Sequence, residues 1–225
     1  MLGIIVAELE ELECVLEKAE NINKETYREK IFYIGTINNK KVVIVRSEVG
    51  KVNAALTTQM LIDRYDVSMI INIGVSGSVD NRLNIGDVVV GEKLVQHDFD
   101  VTGFGRKLGE IEGIGIYIET NPKLLDIFKD KDVRVGVIAS GDKFVTKIED
   151  KNFIRETFNA LCVEMEGASV AQTCLMNKID FLIIRSISDK LDGSSKIEFP
   201  KFLVSSSKKA ASLLYDVIGE LWKVF

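Results

Sequence analysis

The sequence is poor in the residues that build disulfide frameworks, multi-histidine metal sites or disordered tails. Its 225 residues include three cysteines, two prolines and one histidine. The cysteines are odd in number and scattered without a C-x-x-C pair, so neither a disulfide framework nor a zinc site is indicated. Reduced thiols of this kind are typical of a cytoplasmic protein. We expect no metal and no cofactor.

Long apolar runs and basic clusters are also missing. No run approaches the roughly 20 apolar residues of a membrane span. The amino-terminal segment lacks the basic region and the cleavage site of a signal peptide. The net charge is −5, and the lysines form only short runs that are typical of a solvated face. We therefore expect a cytoplasmic protein that binds neither membrane nor nucleic acid.

The chain does contain enough apolar residues for one full core. It is 46% hydrophobic and 28% charged, and a chain of this size buries most of the surface that its unfolded form exposes. No linker, low-complexity stretch or internal repeat divides it. Residues 1–225 are therefore predicted to form a single domain.

Apolar runs typical of buried strands alternate with segments of helical periodicity. Strands are predicted at 2–7, 69–73, 87–95, 133–139, 161–163 and 181–187, and a hairpin at 31–37 and 42–45. Helices are predicted at 50–65, 124–128, 154–158, 166–177 and the carboxyl-terminal segment, with a further helix beginning at 8–13. This alternation favours the α/β class, with a largely parallel sheet covered by helices on both faces.

Polar residues recur where the predicted strands end, which is where α/β sheets bind ligands. They are Glu11, Ser76, Asp142, Glu164, Glu166, Arg185, Ser188 and Asp189. Neither a P-loop nor a dinucleotide-binding motif is present, so Gly74 and Gly77 are interpreted as glycines that let the backbone approach a small ligand. Carboxylates, one arginine and hydroxyls favour acid–base hydrolysis of a polar, aromatic small molecule.

Short motifs along nearly the whole chain carry a family resemblance. They lie at 3–11, 50–55, 70–74, 86–90, 97–105, 140–144, 163–168 and 185–189. Their order and spacing resemble the 5′-methylthioadenosine/S-adenosylhomocysteine nucleosidase family of the nucleoside phosphorylase superfamily. The resemblance implies a three-layer α/β/α domain with a central mixed, twisted sheet. It also implies hydrolysis of the N-glycosidic bond of these nucleosides, and of 5′-deoxyadenosine, which releases adenine and a 5′-substituted ribose.

The resemblance further implies roles for the acidic residues. Asp189 would protonate N7 of the departing adenine, which needs a partly desolvated carboxyl group that holds a proton near neutral pH. Glu11 would activate the water that attacks C1′, and Glu166, as a carboxylate, would hold the ribose hydroxyls. Structural alternatives are a helix cap for Asp189 and an ordinary first-turn glutamate for Glu11. Glu164 and Arg185 would join the same polar shell, or form a buried ion pair that only shapes the core.

Other positions are assigned to the substrate by the same resemblance. Phe144 would stack on adenine and the backbone of Val145 would bind the base edge, although a core phenylalanine is the alternative. The remaining substrate-binding positions are Val49, Ser76, Gly77, Met165, Ser188 and Phe199. Val101 and Phe104 would enter the 5′-thio pocket of a neighbouring subunit, which implies a homodimer with a shared active site. His97 is expected to be structural.

Three departures from the family pattern leave the preferred 5′ group open. Val75 stands where serine or threonine is frequent, Glu8 where methionine is common, and Glu112 where a proline occurs. Methylthio, homocysteinyl, deoxy and aminofutalosine substrates all stay possible. The alternative functions are a purine nucleoside phosphorylase, an aminodeoxyfutalosine nucleosidase and a non-enzymatic nucleoside-binding protein. Glu11 and Asp189 together favour hydrolysis, because binding alone needs neither.

Overall fold

Ten strands and six α-helices follow one another in the part of the chain that the computed structural model describes, residues 1–192 and 195–224. The strands are β1 Leu2–Val6, β2 Glu20–Tyr27, β3 Lys30–Ile37, β4 Lys40–Arg46, β5 Met69–Ser78, β6 Val88–Gln96, β7 Ile118–Glu119, β8 Arg134–Ser140, β9 Ala160–Glu164 and β10 Asp180–Asp189. The helices are α1 Leu9–Leu16, α2 Lys51–Arg64, α3 Pro122–Leu125, α4 Ile148–Phe158, α5 Gly167–Asn177 and α6 Ser195–Leu221. None of the described helices is both long and apolar enough to cross a bilayer.

The strands form one sheet that closes on itself at one side. Strand β5 pairs with β10, β10 with β6, β6 with β8, β8 with β9, and β9 again with β5. On its other edge β5 pairs with β1, and β4, β3 and β2 continue outward from there. Strand β5 therefore lies at the junction of the closed ring and the open arm.

The expectation of a largely parallel sheet is wrong in its proportions. Among the described residues, five strand pairings are parallel and five are antiparallel. Closing the ring reverses the strand direction twice, at β10–β6 and at β5–β9. The mixed sheet and the α/β class that the family resemblance implied are confirmed.

Helices cover both faces of the sheet, and strand β1 shows how. Leu2, Ile4 and Val6 pack into one apolar cluster with residues of α1 and α6. Ile5 packs on the opposite side, in a cluster that includes residues of α2 and α5. All four side chains are fully buried, which accounts for the continuous apolar run at the start of the sequence.

The predicted hairpin is confirmed, but other bounds differ. Strands β3 and β4 are antiparallel, and the turn between them holds Asn38 and Asn39 at positive φ. Strand β2 was not predicted because it is polar and mostly exposed, so it carries no apolar alternation. Helix α4 begins at Ile148 instead of residue 154. Strand β5 continues to Ser78, so residues 74–78 belong to a strand and not to a loop after it.

Candidate active site

A cavity of about 360 Å³ opens at the carboxyl ends of β1, β4, β9 and β10. Its lining consists of Ala7, Glu8, Glu11, Val49, Val75, Ser76, Gly77, Phe144, Val163, Glu164, Met165, Glu166, Ser188, Asp189 and Phe199. Eleven of the predicted site residues are in this set. The strand-end rule and the family motifs thus converge on one hollow of nucleoside size.

Four predicted site residues do not line this cavity. Val145 lines a small adjoining hollow that it shares with Phe144 and Asp189. Arg185 is fully buried, so it supports the lining without facing the cavity. Val101 and Phe104 lie outside the lining, and 86% of the Phe104 surface is exposed.

Glu11 is held by backbone N–H groups at the start of α1. The amides of Ala7 and Glu8 donate to its Oε2 at 2.9 and 3.0 Å, and the amide of Val75 donates to Oε1 at 2.9 Å. Burial raises the pKa of this carboxyl above its ordinary value, although these bonds and the charge of Arg185 oppose the rise. A desolvated carboxylate in fixed orientation is suited to accept a proton from water.

Asp189 reaches the cavity from the last residue of β10. Its side chain is 1% exposed, which is the desolvation that the sequence analysis required of a proton donor. Lys151 donates to Oδ2 at 2.8 Å, and the hydroxyl of Ser188 donates to Oδ1 at 3.2 Å. The carboxyl group therefore forms an ion pair between β10 and α4, and it does not cap a helix.

Strand β5 separates the two acids and has a glycine beside each of them. The Cα of Gly74 lies against the Glu11 carboxylate, where an added Cβ would overlap it. A Cβ on Gly77 would lie 2.8 Å from Oδ2 of Asp189. The two glycines therefore make room for carboxylates, and only Gly77 also borders the cavity. This corrects the interpretation that both glycines admit a ligand.

A second acidic pair, Glu164 and Glu166, is arranged around the buried Arg185. The guanidinium donates to Glu164 Oε2 at 2.5 Å and lies 3.9 Å from Glu166 Oε2. Glu164 also accepts from the Ser140 hydroxyl and from the Gly167 amide. Burial acts to raise the pKa of Glu164, but the charge of Arg185 and these hydrogen bonds outweigh it and hold the pKa below its ordinary value.

The pKa of Glu166 shifts in the opposite direction. Burial, followed by the charge of Glu164, raises the pKa of Glu166 to about 8. Its Oε1 accepts from the Gly50 amide at 2.9 Å, which ties the loop after β4 to the cavity. From the sequence we expected Glu166 to be a carboxylate. The site instead favours its protonated form near neutral pH, because a second negative charge beside Glu164 is costly.

Two phenylalanine rings form the apolar part of the cavity wall. The rings of Phe144 and Phe199 meet edge-on, with centroids 5.5 Å apart and an interplanar angle of 63°. Phe144 is 47% exposed, so it is not a core phenylalanine. An exposed ring at a cavity wall can stack on a planar heterocycle.

Comparison with known proteins places this geometry in a family. A model described as the phosphorylase superfamily matches residues 1–219. The 5′-methylthioadenosine/S-adenosylhomocysteine nucleosidase of Staphylococcus haemolyticus is 34% identical, over 98% of this chain and 100% of its own length. This chain belongs to the 5′-methylthioadenosine/S-adenosylhomocysteine nucleosidase family.

Solved structures of the family superpose closely on this chain. The nucleosidase of Helicobacter pylori, in complex with a thioether-substituted pyrrolidinol that carries an aminopyrrolopyrimidine, gives a TM-score of 0.94 at 36% identity, with 97% of each chain covered. The futalosine hydrolase of Helicobacter pylori gives a TM-score of 0.91 at 35% identity, also with 97% of each chain covered. The fold and family predicted from the motifs are confirmed.

Within this nucleosidase-family site, Lys151 is the main residue that sequence reasoning missed. Its side chain is fully buried and contacts Asp189 across the gap between α4 and β10. The available signal was helical spacing, because Lys151 precedes Ile154 by three residues and Phe158 by seven, on the buried face of α4. A lysine on such a face needs a buried partner, but the sequence does not name it.

The lining also differs from a site for phosphate or metal. No arginine or lysine is among its residues within the described part of the chain. Arg46, the other candidate beside Arg185, donates its Nε hydrogen to the backbone carbonyl of Ala7. The residues that the structure describes include no group of three or more histidine, cysteine, aspartate or glutamate side chains placed to share a metal ion.

Proposed function

We propose that this chain hydrolyses the N-glycosidic bond of 5′-methylthioadenosine and S-adenosylhomocysteine, and of 5′-deoxyadenosine, to release adenine and a 5′-substituted ribose. The observation that carries the proposal is the approach of Glu11 and Asp189 to one cavity from opposite sides of β5. Asp189 ends β10, which pairs with β5, and Glu11 on α1 accepts from the Val75 amide of β5. A nucleoside placed between them would present its purine to Asp189 and its sugar to Glu11.

The reaction breaks the C1′–N9 bond, and the electron pair of that bond stays with the purine. Asp189 would donate a proton to N7, which makes the purine a better leaving group. Glu11 would take a proton from the water that attacks C1′ of the oxocarbenium-like sugar. Both effects act in a desolvated cavity, where charge–charge interactions are stronger than in water.

Glu166 would bind the ribose hydroxyls and respond to the charge that forms on the sugar. Because its pKa is raised to about 8 by burial and by Glu164, it holds a proton at neutral pH, and positive charge on the sugar would help to displace that proton to solvent water. The resulting carboxylate would then stabilise that charge. This interaction strengthens as the transition state forms, which is the condition for lowering the barrier.

The two ends of the cavity would select the base and the 5′ group. Phe144 and the backbone of Val145 are proposed to hold adenine, and Met165 to pack on the ribose. Phe199, whose ring contacts that of Phe144, would line the base end. The 5′ substituent would lie at the end formed by Val49 and Glu8, since β1 and β4 lie on the side of β5 away from β10. The carboxylate of Glu8 at this end would influence which 5′ group the cavity prefers.

Phosphorolysis is the less favoured reaction. A phosphorylase needs cationic side chains at C1′, and the described lining supplies carboxylates there instead of arginine or lysine. Carboxylates repel phosphate and favour water as the nucleophile. Hydrolysis of aminodeoxyfutalosine stays an alternative, because the Helicobacter pylori protein with this fold is named a futalosine hydrolase.

We further propose a cytoplasmic homodimer that acts in methionine salvage. Val101 and Phe104 would complete the 5′ end of the partner subunit's cavity. The exposure of Phe104 supports this, because a large apolar side chain that is 86% exposed gains from burial against another surface.

The test is a substrate panel in phosphate-free buffer. Adenine release would be followed for 5′-methylthioadenosine, S-adenosylhomocysteine, 5′-deoxyadenosine and aminodeoxyfutalosine. Turnover of the first two at comparable or higher kcat/KM than the fourth supports the proposal. Turnover of aminodeoxyfutalosine alone would assign the alternative hydrolase, and binding without turnover of any substrate would assign a nucleoside-binding protein.

A further inference from the structure

A buried ion pair connects helix α4 to the acid that the proposed reaction uses. The side chains of Lys151 and Asp189 are 0% and 1% exposed, and Nζ lies 2.8 Å from Oδ2. The same ammonium donates to the backbone carbonyl of Lys190 at 2.5 Å. Lys151 therefore has two partners, and both belong to the end of β10 or to the residue after it.

Packing alone does not account for a lysine at this position. The other buried side chains of α4 are Ile154 and Phe158, which join the apolar cluster between α4 and strands β6, β8 and β9. An apolar residue at 151 would extend that cluster without the cost of removing an ammonium from water, and buried ion pairs are often no more stabilising than apolar replacements. The pair is therefore better explained by its effect on Asp189 than by stability.

We propose that Lys151 is a positioning residue that fixes the carboxyl group of Asp189 and stabilises the negative charge that remains on it after proton transfer. The inference rests on the proposed function, in which Asp189 protonates N7. When Asp189 gives up its proton, the carboxylate that remains is stabilised by the ammonium 2.8 Å away. The charge that proton transfer leaves on the carboxyl group is thus balanced within the protein.

Lys151 also restrains the geometry of the acid. Oδ2 is bound by the ammonium and lies over Gly77, while Oδ1 accepts only the longer bond from Ser188 among the hydrogen bonds of the described residues. Oδ1 is thus the oxygen with free capacity for a purine nitrogen. Fixing one oxygen of a carboxyl group directs the other, which reduces the reorganisation needed at the moment of proton transfer.

The remaining groups around Asp189 do not replace this cation. Cys162 on β9 is buried, and its pKa is raised to about 12 by burial and nearby negative charge, so it stays a neutral thiol. Lys143, which borders the adjoining hollow, is exposed and paired with Asp150 at 2.6 Å. Glu198 on α6 accepts from the Lys190 amide at 2.9 Å. Glu164 and Arg185, next along the cavity floor, are paired with one another.

The experiment measures kcat and kcat/KM for adenine release from 5′-methylthioadenosine between pH 5 and 10. Wild type is compared with Lys151→Met, which keeps the length of the side chain without its charge, and with Lys151→Arg, which keeps the charge. We expect kcat to fall about tenfold in Lys151→Met with KM changed little, part of the roughly 10²–10⁴-fold that a positioned acid contributes.

Two variants separate charge from packing. Lys151→Arg should recover most of the wild-type kcat, because arginine stays protonated at every pH tested. Lys147→Met, at the exposed start of the same helix, makes the same substitution away from Asp189 and should leave the profile unchanged. Equal losses of kcat in Lys151→Met and Lys151→Arg, or wild-type kcat in Lys151→Met, would overturn the proposal.

A second variant covers the case in which Lys151→Met does not fold. Lys151→Gln keeps a hydrogen-bond donor at this position without the charge. We expect kcat to be lowered in this variant as well, whereas wild-type kcat in a folded Lys151→Gln would overturn the proposal. Failure of the proposed function is distinct, because wild type would then release no adenine.

Discussion

Glu11 and Asp189 are held by opposite kinds of partner, although both are buried acids in one cavity. Glu11 accepts from three uncharged backbone N–H groups. Asp189 is paired with the ammonium of Lys151. The Glu11 carboxyl group is thus held by backbone dipoles, whereas a full positive charge contacts Asp189 and can stabilise the carboxylate that proton transfer leaves. Two carboxyl groups can therefore carry different roles because their surroundings differ.

The first prediction concerns these acids singly. Glu11→Gln and Asp189→Asn preserve the size of each side chain and remove its proton chemistry. We expect kcat to fall by roughly 10²–10⁴-fold in each variant, with KM changed little because the lost interaction belongs to the transition state. Steady-state adenine release at saturating and limiting substrate measures both quantities.

A matched control comes from the same helix. Glu13 lies two residues after Glu11 on the exposed side of α1, so Glu13→Gln should keep wild-type turnover. Near-normal kcat in Glu11→Gln or in Asp189→Asn would refute the role assigned to that residue.

The two acids could be recognised from the sequence, but the residues that hold acidic side chains in place could not be paired with them. Glu11 and Asp189 follow apolar strands within recognisable motifs, so both could be named in advance. Lys151 could not be assigned, because its partner is 38 residues away in the chain and only the tertiary fold brings the two together. Arg185 was predicted in the polar shell, but its complete burial depends on Glu164 and Asn72, which hold it from two other strands.

At the scale of elements, β5 determines the distance between the acids. The second prediction follows from its two glycines. Gly74→Ala would drive Glu11 from its position, and Gly77→Ala would place a Cβ 2.8 Å from Oδ2 of Asp189. We expect kcat to fall by about 10²-fold in each variant, which is the cost of displacing a catalytic group by roughly 1 Å.

Circular dichroism and thermal unfolding would accompany those kinetic measurements. Gly219→Ala in α6 is the control, because a Cβ there meets no atom within 4 Å. It should retain activity and slightly stabilise the helix. Full activity in Gly74→Ala would show that Glu11 does not need the position that it occupies here.

The elements that could be predicted are those with a one-sided or fully buried apolar pattern. Strands β1 and β10 are almost completely buried and appear in the sequence as apolar runs. Strand β2 carries no such pattern, because it is the exposed edge of the open arm. The closed ring could not be predicted from local sequence either, because it depends on pairings between β5, β9 and β10 that periodicity does not encode.

For the whole molecule, the third prediction is a pH dependence of stability. The pKa of Glu166 is raised from 4.5 to about 8 in the folded chain by burial and by Glu164. A raised carboxyl pKa stabilises the fold fully below the unfolded value, and this contribution is lost as pH rises through the folded value. The contribution of Glu166 to the free energy of unfolding should therefore decrease between about pH 4.5 and 8.

Urea unfolding at intervals between pH 5 and 8 measures this effect. Glu166→Gln should show a smaller decrease over that window than wild type, since glutamine cannot ionise. Glu11, whose pKa is also raised by burial, contributes in the same direction in both proteins. Identical slopes in the two proteins would contradict the assigned pKa of Glu166.

The fourth prediction concerns assembly. Val52 and Leu56 on α2 and Met176 on α5 are exposed by 68%, 56% and 72%, and the two helices pack together. An apolar face of this kind is typical of a subunit interface. Sedimentation should show a dimer for wild type, and Leu56→Glu should shift it toward monomer with loss of adenine release. A fully active monomer would contradict the shared cavity.

We propose that water cleaves the substrate between Glu11 and Asp189. The phosphate dependence of adenine release from 5′-methylthioadenosine tests this most directly. Initial rates would be compared in phosphate-free buffer and in buffer with saturating phosphate, using dialysed wild-type enzyme. Hydrolysis would give equal rates in both buffers and free 5-methylthioribose as the sugar product. Release that requires phosphate and yields a sugar 1-phosphate would contradict it.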